Sequence, residues 1–196
     1  MRYLFVLLFA GFLTACSQTK PVTQPDNAWL QHRNAVLKLN KWTLNGRVGV
    51  YTEDEAWPGD LIWKQNKKKY DLRIIAPLGA GNLHIFTTNG GVMLESSSNP
   101  RPYFSPDAES LLRQQFGWIL PLDNLRYWVR GIPHPISPVS GVMEFDGQGH
   151  LQTLNQSGWK VSFARYKKVG PYQLPGKILL EQQERSIKII IRRWML

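Results

Sequence analysis

Apolar and polar residues alternate in short runs from Lys41 to the end of this 196-residue chain. In the first run, Trp42 and Leu44 alternate with polar neighbours, which is the pattern of a strand with one buried face. Asn89-Gly90-Gly91 marks a tight hairpin between two such runs. Because the links are of hairpin length, we expect about ten or eleven strands in an antiparallel sheet. The alternation predicts strands near residues 41–50, 61–63, 70–74, 82–88, 92–96, 142–145, 151–155, 159–166, 177–181 and 187–194.

Three other segments carry apolar residues at helical spacing. Ser105 is the expected cap of the second helix, with Pro106 at its first position and Gly117 at its end. Segments 97–102 and 132–141 are rich in proline or turn-forming residues and are predicted as loops. The helices are expected at residues 28–39, 106–116 and 121–130.

These elements predict a mainly β fold with α-helices. A sheet of this many strands usually curls, and its apolar concave face needs a cover. We therefore expect a single antiparallel sheet curled into an incomplete barrel of about 11 strands, covered by about three helices around an apolar interior. The periodicity leaves open whether that interior is filled or hollow. The eight tryptophans fit either a packed core or an apolar pocket.

The N-terminus has the layout of a secretory signal: Arg2, an uncharged apolar run, and then small residues before Cys16. The apolar run, about 12 residues long, is shorter than the roughly 20 needed to cross a bilayer. Leu13-Thr14-Ala15-Cys16 resembles the lipobox of bacterial lipoproteins. The alternative is an ordinary signal followed by a chance cysteine, but a lone thiol in a secreted chain would be unusual.

The lipobox resemblance implies cleavage before Cys16, a diacylglyceryl group on its sulfur and an acyl chain on its new amino terminus. Ser17 in the next position implies the outer membrane. We therefore expect residues 1–15 to be a lipoprotein signal peptide, residues 16–25 a lipidated flexible tether, and residues 26–196 the folded domain. Several acyl chains would anchor the protein stably.

The formal net charge of +10 is compatible with three kinds of surface. Basic patches can bind nucleic acid, can lie against anionic lipid, or can be solvated turns, as at Lys67-Lys68-Lys69. A protein tethered in the cell envelope meets little nucleic acid. We therefore expect no nucleic-acid partner.

No group of residues has the spacing of a catalytic or metal site. His32, His84, His134 and His150 lack metal-type spacing, and the chain has neither a nucleophile elbow nor a phosphate loop. Ser157-Gly158-Trp159-Lys160 matches Ser-x-x-Lys formally, but it lies on a predicted hairpin turn. We expect a non-enzymatic protein with no metal and no cofactor other than the lipid on Cys16.

Pro77-Leu78-Gly79 places a large apolar residue in a turn, where exposed polar residues are usual. Leu78 could insert into the boundary of a membrane, or it could fold back onto the core. The residues themselves leave both possibilities open.

A set of short motifs resembles the LolB family of outer-membrane lipoprotein receptors, in order and over most of the chain after the tether. The tether and the 132–141 loop match poorly. The motifs are Trp42-x-Leu44-x-Gly46-Arg47-Val48, Leu61-Ile62-Trp63-Lys64-Gln65, Tyr70, Pro77-Leu78-Gly79, Asp107-Ala108-Glu109-x-Leu111-Leu112, Gly117-Trp118-x-Leu120-Pro121-Leu122, Leu125-x-Tyr127-Trp128-Val129-x-Gly131-x-Pro133, Trp159-Lys160-Val161, and Ile187-Lys188 through Trp194.

The resemblance implies an incomplete barrel with a hydrophobic cavity, at the periplasmic face of the outer membrane of a Gram-negative bacterium. It implies that the protein takes acylated lipoproteins from the periplasmic carrier LolA and inserts them among the phospholipids of the inner leaflet. We expect a monomer, and no nucleotide hydrolysis is needed if each acceptor holds the acyl chains more favourably than the donor. It also implies that Leu78 is the membrane-insertion residue. The candidates for lining the acyl cavity are Trp42, Leu44, Val48, Trp63, Leu72, Ile74, Leu111, Leu112, Trp118, Leu125 and Trp128.

Two other functions are weighed against this one. A tethered lipoprotein with a purely structural or partner-binding role would have a filled core with no cavity. An envelope hydrolase would need an acid, a base and a nucleophile grouped inside the cavity.

Overall fold

The computed structural model describes residues 27–117 and 120–196. In this part of the chain, eleven antiparallel strands form one sheet and two more form a small hairpin. The sheet order is β6-β5-β4-β3-β2-β1-β13-β12-β9-β8-β7, so β6 and β7 are free edges and the barrel is not closed. This confirms the predicted fold class. The elements are α1 (Asn27–Leu37), β1 (Lys41–Tyr51), β2 (Ala56–Asn66), β3 (Lys69–Ile75), β4 (Asn82–Thr87), β5 (Val92–Ser96), β6 (Asn99–Ser105), α2 (Ala108–Phe116), α3 (Leu122–Trp128), β7 (Glu144–Phe145), β8 (Leu151–Gln156), β9 (Trp159–Ala164), β10 (Lys167–Val169), β11 (Tyr172–Leu174), β12 (Lys177–Gln182) and β13 (Arg185–Met195).

Because the strands are antiparallel, their connections collect at two ends of the sheet. We call one the mouth end; it carries the connections at 52–55, 76–81, 97–98, 157–158 and 183–184. We call the other the tryptophan end. It includes the start of β1 at Trp42, the 67–68 turn near Trp63, and the end of β13 at Trp194.

The three helices pack on one face of the sheet and share a single buried core with it. Trp29 of α1 lies 5.1 Å from Phe145 of β7, measured between ring centroids. Trp128 of α3 donates a hydrogen bond to Gln156 of β8 at 2.8 Å. Arg130, just after α3, donates from Nη1 to two backbone carbonyls at the end of α1, both at 2.9 Å. The cover is therefore tied to the sheet and to itself by specific contacts.

The second helix begins two residues later than predicted, and its N-cap residue differs from the predicted one. Asp107 is the N-cap, and its carboxylate accepts a hydrogen bond from the backbone N–H of Ser110 at 2.8 Å. Ser105 cannot cap the helix because it is the last residue of β6, where it pairs with Val92. Gly117 ends the helix as predicted, with a positive φ of 70°.

The predicted 97–102 loop is wrong, since most of it belongs to strand β6. Pro100 and Pro102 lack an N–H, and they argue against a strand in the interior of a sheet. β6 is an edge strand, where proline is tolerated because one side of the backbone needs no partner. Conversely, the strand predicted at 142–145 is reduced to Glu144–Phe145.

The close approach of two strands explains why the motif Trp42-x-Leu44-x-Gly46-Arg47-Val48 contains a glycine. A Cβ at this position would lie 2.2 Å from the backbone oxygen of Ile190 on β13. The register of β1 against β13 shifts between Asn45 and Gly46. The bulge brings the two backbones so close that only glycine fits between them.

Candidate functional site

An apolar pocket of about 300 Å³ opens at the mouth end of the sheet. It lies between the ends of the central strands and the last residue of α2. Serines of the β5–β6 turn contribute its polar part. Its lining residues are Val50, Trp57, Pro58, Ile74, Ala76, Ala80, Gly81, Asn82, Leu83, Ser96, Ser97, Ser98 and Phe116.

Trp57 and Phe116 face each other across this pocket, with ring centroids 6.4 Å apart. Trp57 is in phase with the buried residues Leu61 and Trp63, yet 44% of its surface is exposed. It is exposed because it lies near the start of β2, at the rim of the sheet. Its indole N–H donates to the carboxylate of Glu55 at 2.9 Å, which fixes the ring at the rim.

Leu78 lies in the link that borders the same pocket, and its side chain is fully exposed. The structure therefore excludes the alternative in which this side chain folds back onto the core. The link is closed by hydrogen bonds from Ala76 N to Gly81 O (2.9 Å) and from Ala80 N to Pro77 O (3.1 Å).

The backbone of Leu78 is strained as well as exposed. Its φ of 56° and ψ of 24° lie in the left-handed region, which costs a non-glycine residue roughly 1–2 kcal/mol. Glycine or asparagine would fit this backbone better, and a polar residue would suit the exposure better. The backbone strain and the exposure both disfavour leucine at this position. The explanation that remains is a function for an exposed apolar tip.

The predicted cavity residues are divided between the pocket and the core. Ile74 lines the pocket. Trp118 and Cys16 lie outside the described residues, and the acyl-lining role of every candidate remains a prediction. The others are buried in the packed core: Trp42, Leu44, Val48, Trp63, Leu72, Leu111, Leu112, Leu125 and Trp128.

Aromatic packing fills the tryptophan end of the sheet. The ring of Trp42 lies 5.2 Å from that of Trp63 and 5.4 Å from that of Trp194. Trp63 is fully buried and donates to the side-chain oxygen of Gln65 at 2.9 Å. Tryptophan rings therefore pack against one another here, and the apolar pocket lined by Ile74 lies at the opposite end.

Sequence reasoning missed the four other large apolar residues of the pocket: Val50, Trp57, Leu83 and Phe116. Each lies at the end of its element, where alternation still gives the direction of the side chain. A count of apolar, inward-phase residues in the first and last two positions of neighbouring strands would have found Val50, Trp57 and Leu83. Phe116 needed the position of α2 relative to the sheet, which the sequence does not supply.

The titratable groups near the helices serve packing. Burial lowers the pKa of Arg130 to about 10, so its guanidinium stays protonated at neutral pH while it holds the end of α1. His84 lies between Glu95 (3.0 Å) and Asp71 (3.3 Å) on the outer face of the sheet, away from the pocket. Within residues 27–117 and 120–196, no group of three histidine, cysteine or acidic residues is placed to hold a metal.

The architecture is shared with solved structures of very low sequence identity. A LolA superfamily protein from Nitrosomonas europaea matches with a TM-score of 0.53 and 6% identity, over 88% of this chain and 94% of that one. A putative outer membrane lipoprotein-sorting protein domain from Vibrio parahaemolyticus matches with a TM-score of 0.51 and 9% identity, over 85% and 90%. The fold is thus shared with these two solved structures.

Sequence comparison gives the family within this fold. The model described as "Outer membrane lipoprotein LolB" matches residues 40–194. The outer-membrane lipoprotein LolB of Pseudomonas fluorescens is 32% identical over 100% of this chain and 96% of its own length. That of Nitrosococcus oceani is 32% identical over 100% and 98%. This chain belongs to the LolB family of outer-membrane lipoproteins.

Proposed function

We propose that this protein receives acylated lipoproteins from the periplasmic carrier LolA and inserts them into the inner leaflet of the outer membrane. In the proposal, lipidated Cys16 holds the protein at that membrane and residues 16–25 act as its tether. The role is one of transfer, with no catalytic step and no nucleotide.

One observation supports this proposal most directly: the exposed, strained Leu78 borders the apolar pocket. The pocket offers acyl chains a surface out of water, and the leucine offers a contact with a bilayer. A protein that only bound an envelope partner would not need an exposed apolar tip beside an apolar pocket.

The pocket must widen to hold cargo. About 300 Å³ is at the lower limit of ligand pockets, which span roughly 300–1,000 Å³, and several acyl chains need more. Outward movement of α2 would separate Phe116 from Trp57 and uncover Leu111 and Leu112. Acyl chains could then cover this apolar surface in place of the helix, so the predicted cavity residues would be reached only in the open form.

Transfer in this scheme is driven by differential affinity. Each methylene kept out of water contributes about 0.8 kcal/mol, so exposed acyl chains would be very costly. Cargo should therefore pass directly from one apolar site to the next. The carrier, this protein and the bilayer then need only bind the chains with increasing strength.

The receptor step is tested by incubating a labelled lipoprotein, bound to its carrier, with the full chain carrying Cys16→Ala. We expect the label to move to this protein, because removal of the anchor leaves the pocket intact. Absence of transfer to folded protein, verified by circular dichroism, would exclude the receptor function.

The delivery step is tested separately with Leu78→Glu in the lipid-anchored protein. We expect acceptance of cargo from the carrier to be unchanged and release into vesicles to be lost, because a carboxylate at the tip cannot enter the apolar bilayer. Phe104→Glu is a matched control, since Phe104 is an exposed apolar residue at the opposite end of the sheet. Unchanged delivery by the Leu78 variant would exclude the insertion role.

A further inference from the structure

The proline-rich loop between α3 and β7 is a second exposed apolar segment, and the transfer scheme gives it no role. From Gly131 to Met143 the chain has no charged residue. Ile136 is 87% exposed and Val142 is 58% exposed. Such a segment needs a reason, because large apolar side chains at loop tips are normally replaced by polar ones.

The loop lies at the mouth end of the sheet, as Leu78 does. Ile75 of β3, Tyr51 of β1 and Gln182 of β12 all belong to strand ends at this edge, as the pairing registers show. Gln156 ends β8 at the same edge, and Val139 of the loop forms a bridge to it. Six strand spacings separate β3 from β8, so Leu78 and the loop lie roughly 30 Å apart along the curved edge.

Gln156 fixes the conformation of the loop. It is fully buried, and its Nε2 donates to the carbonyl oxygens of His134 (2.9 Å) and Ser137 (2.7 Å). Its Oε1 accepts from the backbone N–H of His134 at 2.9 Å and from the indole of Trp128 at 2.8 Å. The four bonds satisfy this amide and clamp the loop between α3 and β8.

A second set of bonds orients the tip. His134 Nδ1 accepts from the backbone N–H groups of Ile136 (3.3 Å) and Ser137 (3.0 Å). The hydroxyl of Ser137 donates to Asn124 of α3 at 3.0 Å. The side chain of Ile136 is thus held outward by a turn that these hydrogen bonds fix.

A lipid bilayer is the occupant that best fits this chemistry. The tip offers no charge and a displayed isoleucine beside two prolines, so it has little with which to recognise a polar partner. Residues 74–83, at the same end, are also uncharged and carry Leu78. Membership in a family of outer-membrane lipoproteins means that a bilayer is the apolar surface nearest to both.

We propose that the 132–143 loop is a second membrane contact, with Ile136 inserting into the same bilayer surface as Leu78. This inference rests on the proposed delivery of cargo at that surface. One contact leaves the protein free to tilt about it, whereas two contacts at separate points of the mouth end fix the pocket mouth against the lipid. Release of cargo would then occur without passage through water.

The test uses the full-length protein in vesicles of phosphatidylethanolamine and phosphatidylglycerol. Cysteine is introduced as Ile136→Cys, as Leu78→Cys, or as Gln148→Cys in the β7–β8 turn at the tryptophan end. Each variant is labelled with an environment-sensitive dye and read by emission shift and by quenching from lipids brominated in their acyl chains. We expect quenching at positions 136 and 78 and none at 148. High salt should not reduce it, since the contact involves no charge.

A water-like, unquenched signal at 136 with quenching at 78 would overturn the second contact and leave the proposed function standing. Quenching at neither position would overturn both. A change at 136 that appears only when the carrier is added would also overturn the lipid contact, because it would assign the loop to a protein partner. As a functional arm, Ile136→Asp should lower delivery to vesicles roughly tenfold with unchanged acceptance from the carrier, whereas Ser140→Asp in the same loop should not.

Discussion

The two ends of the sheet are built from the same strands but differ in side-chain packing and in the residues of their loops. At the tryptophan end, Trp42, Trp63 and Trp194 pack against one another, and the turn outside them is Lys67-Lys68-Lys69. At the mouth end, Trp57 and Phe116 border a pocket, and two of the connections there, residues 74–83 and 131–143, carry no charge, whereas the 52–55 connection is acidic. Strand alternation is continuous between the two ends, so it defines the buried face without deciding which end is filled.

This difference separates stability from function. At the tryptophan end, Trp42 and Trp63 are buried in the core, whereas the mouth end keeps features that cost stability. Leu78 is strained and Ile136 is exposed, which a fold selected for stability alone would have replaced. If the mouth end meets the bilayer, the three lysines of the opposite turn face away from it and are solvated.

The largest expected effect tests this division directly. Trp63→Ala should lower the free energy of unfolding by about 3–5 kcal/mol, because it leaves a large cavity and removes the partner of Gln65. Trp57→Ala at the mouth should cost only about 2 kcal/mol, since that side chain is 44% exposed. Urea unfolding measures both values. Equal losses would mean that the two ends contribute alike and that the comparison fails.

The next effect concerns acceptance of cargo. Ile74→Asn places an amide in the apolar pocket and should weaken acceptance of lipoprotein from the carrier ten- to a hundredfold. Ile75→Asn is the matched control, because the neighbouring isoleucine points to the outer face and is already 42% exposed. Similar loss in both variants would indicate damage to β3 and not to the pocket.

Leu78→Gly should change stability and delivery of cargo in opposite directions. Glycine adopts the left-handed backbone of this position without strain, so the free energy of unfolding should rise by up to about 1 kcal/mol. Delivery of cargo to vesicles should fall at the same time, because the apolar tip is gone. Thermal unfolding and a delivery assay on one preparation measure both. A variant that is less stable, or that delivers normally, contradicts this account of the leucine.

The sequence predicted the sheet, the helices and the exposed apolar turn because each depends on local pattern. It missed β6, since Pro100 and Pro102 argue against a strand unless the strand is known to be an edge. It missed Trp57 and Phe116 as pocket residues, because a strand or helix end is exposed or covered according to elements distant in sequence. The loop of Ile136 carried no local signal for its fixed shape, which comes from Gln156 on another strand.

The smallest expected effect is a pH dependence of the Ile136 loop. Partial burial, followed by the positive charge of Arg126, lowers the pKa of His134, while Asp123 acts weakly in the opposite direction. The turn requires Nδ1 as an acceptor, so neutral histidine supports it. Because the pKa is lower in the folded loop than in an unfolded chain, the support is complete above the ordinary value of about 6.5 and is lost as the pH falls below it.

Amide hydrogen exchange at Ile136 and Ser137, corrected for intrinsic rates, should show reduced protection at mildly acidic pH. The Thr88–Gly91 turn at the opposite end, which contains no histidine, should show no such change. Equal protection of the loop at both pH values would mean that the histidine does not hold the tip, and the rigidity of the loop would then depend on Gln156.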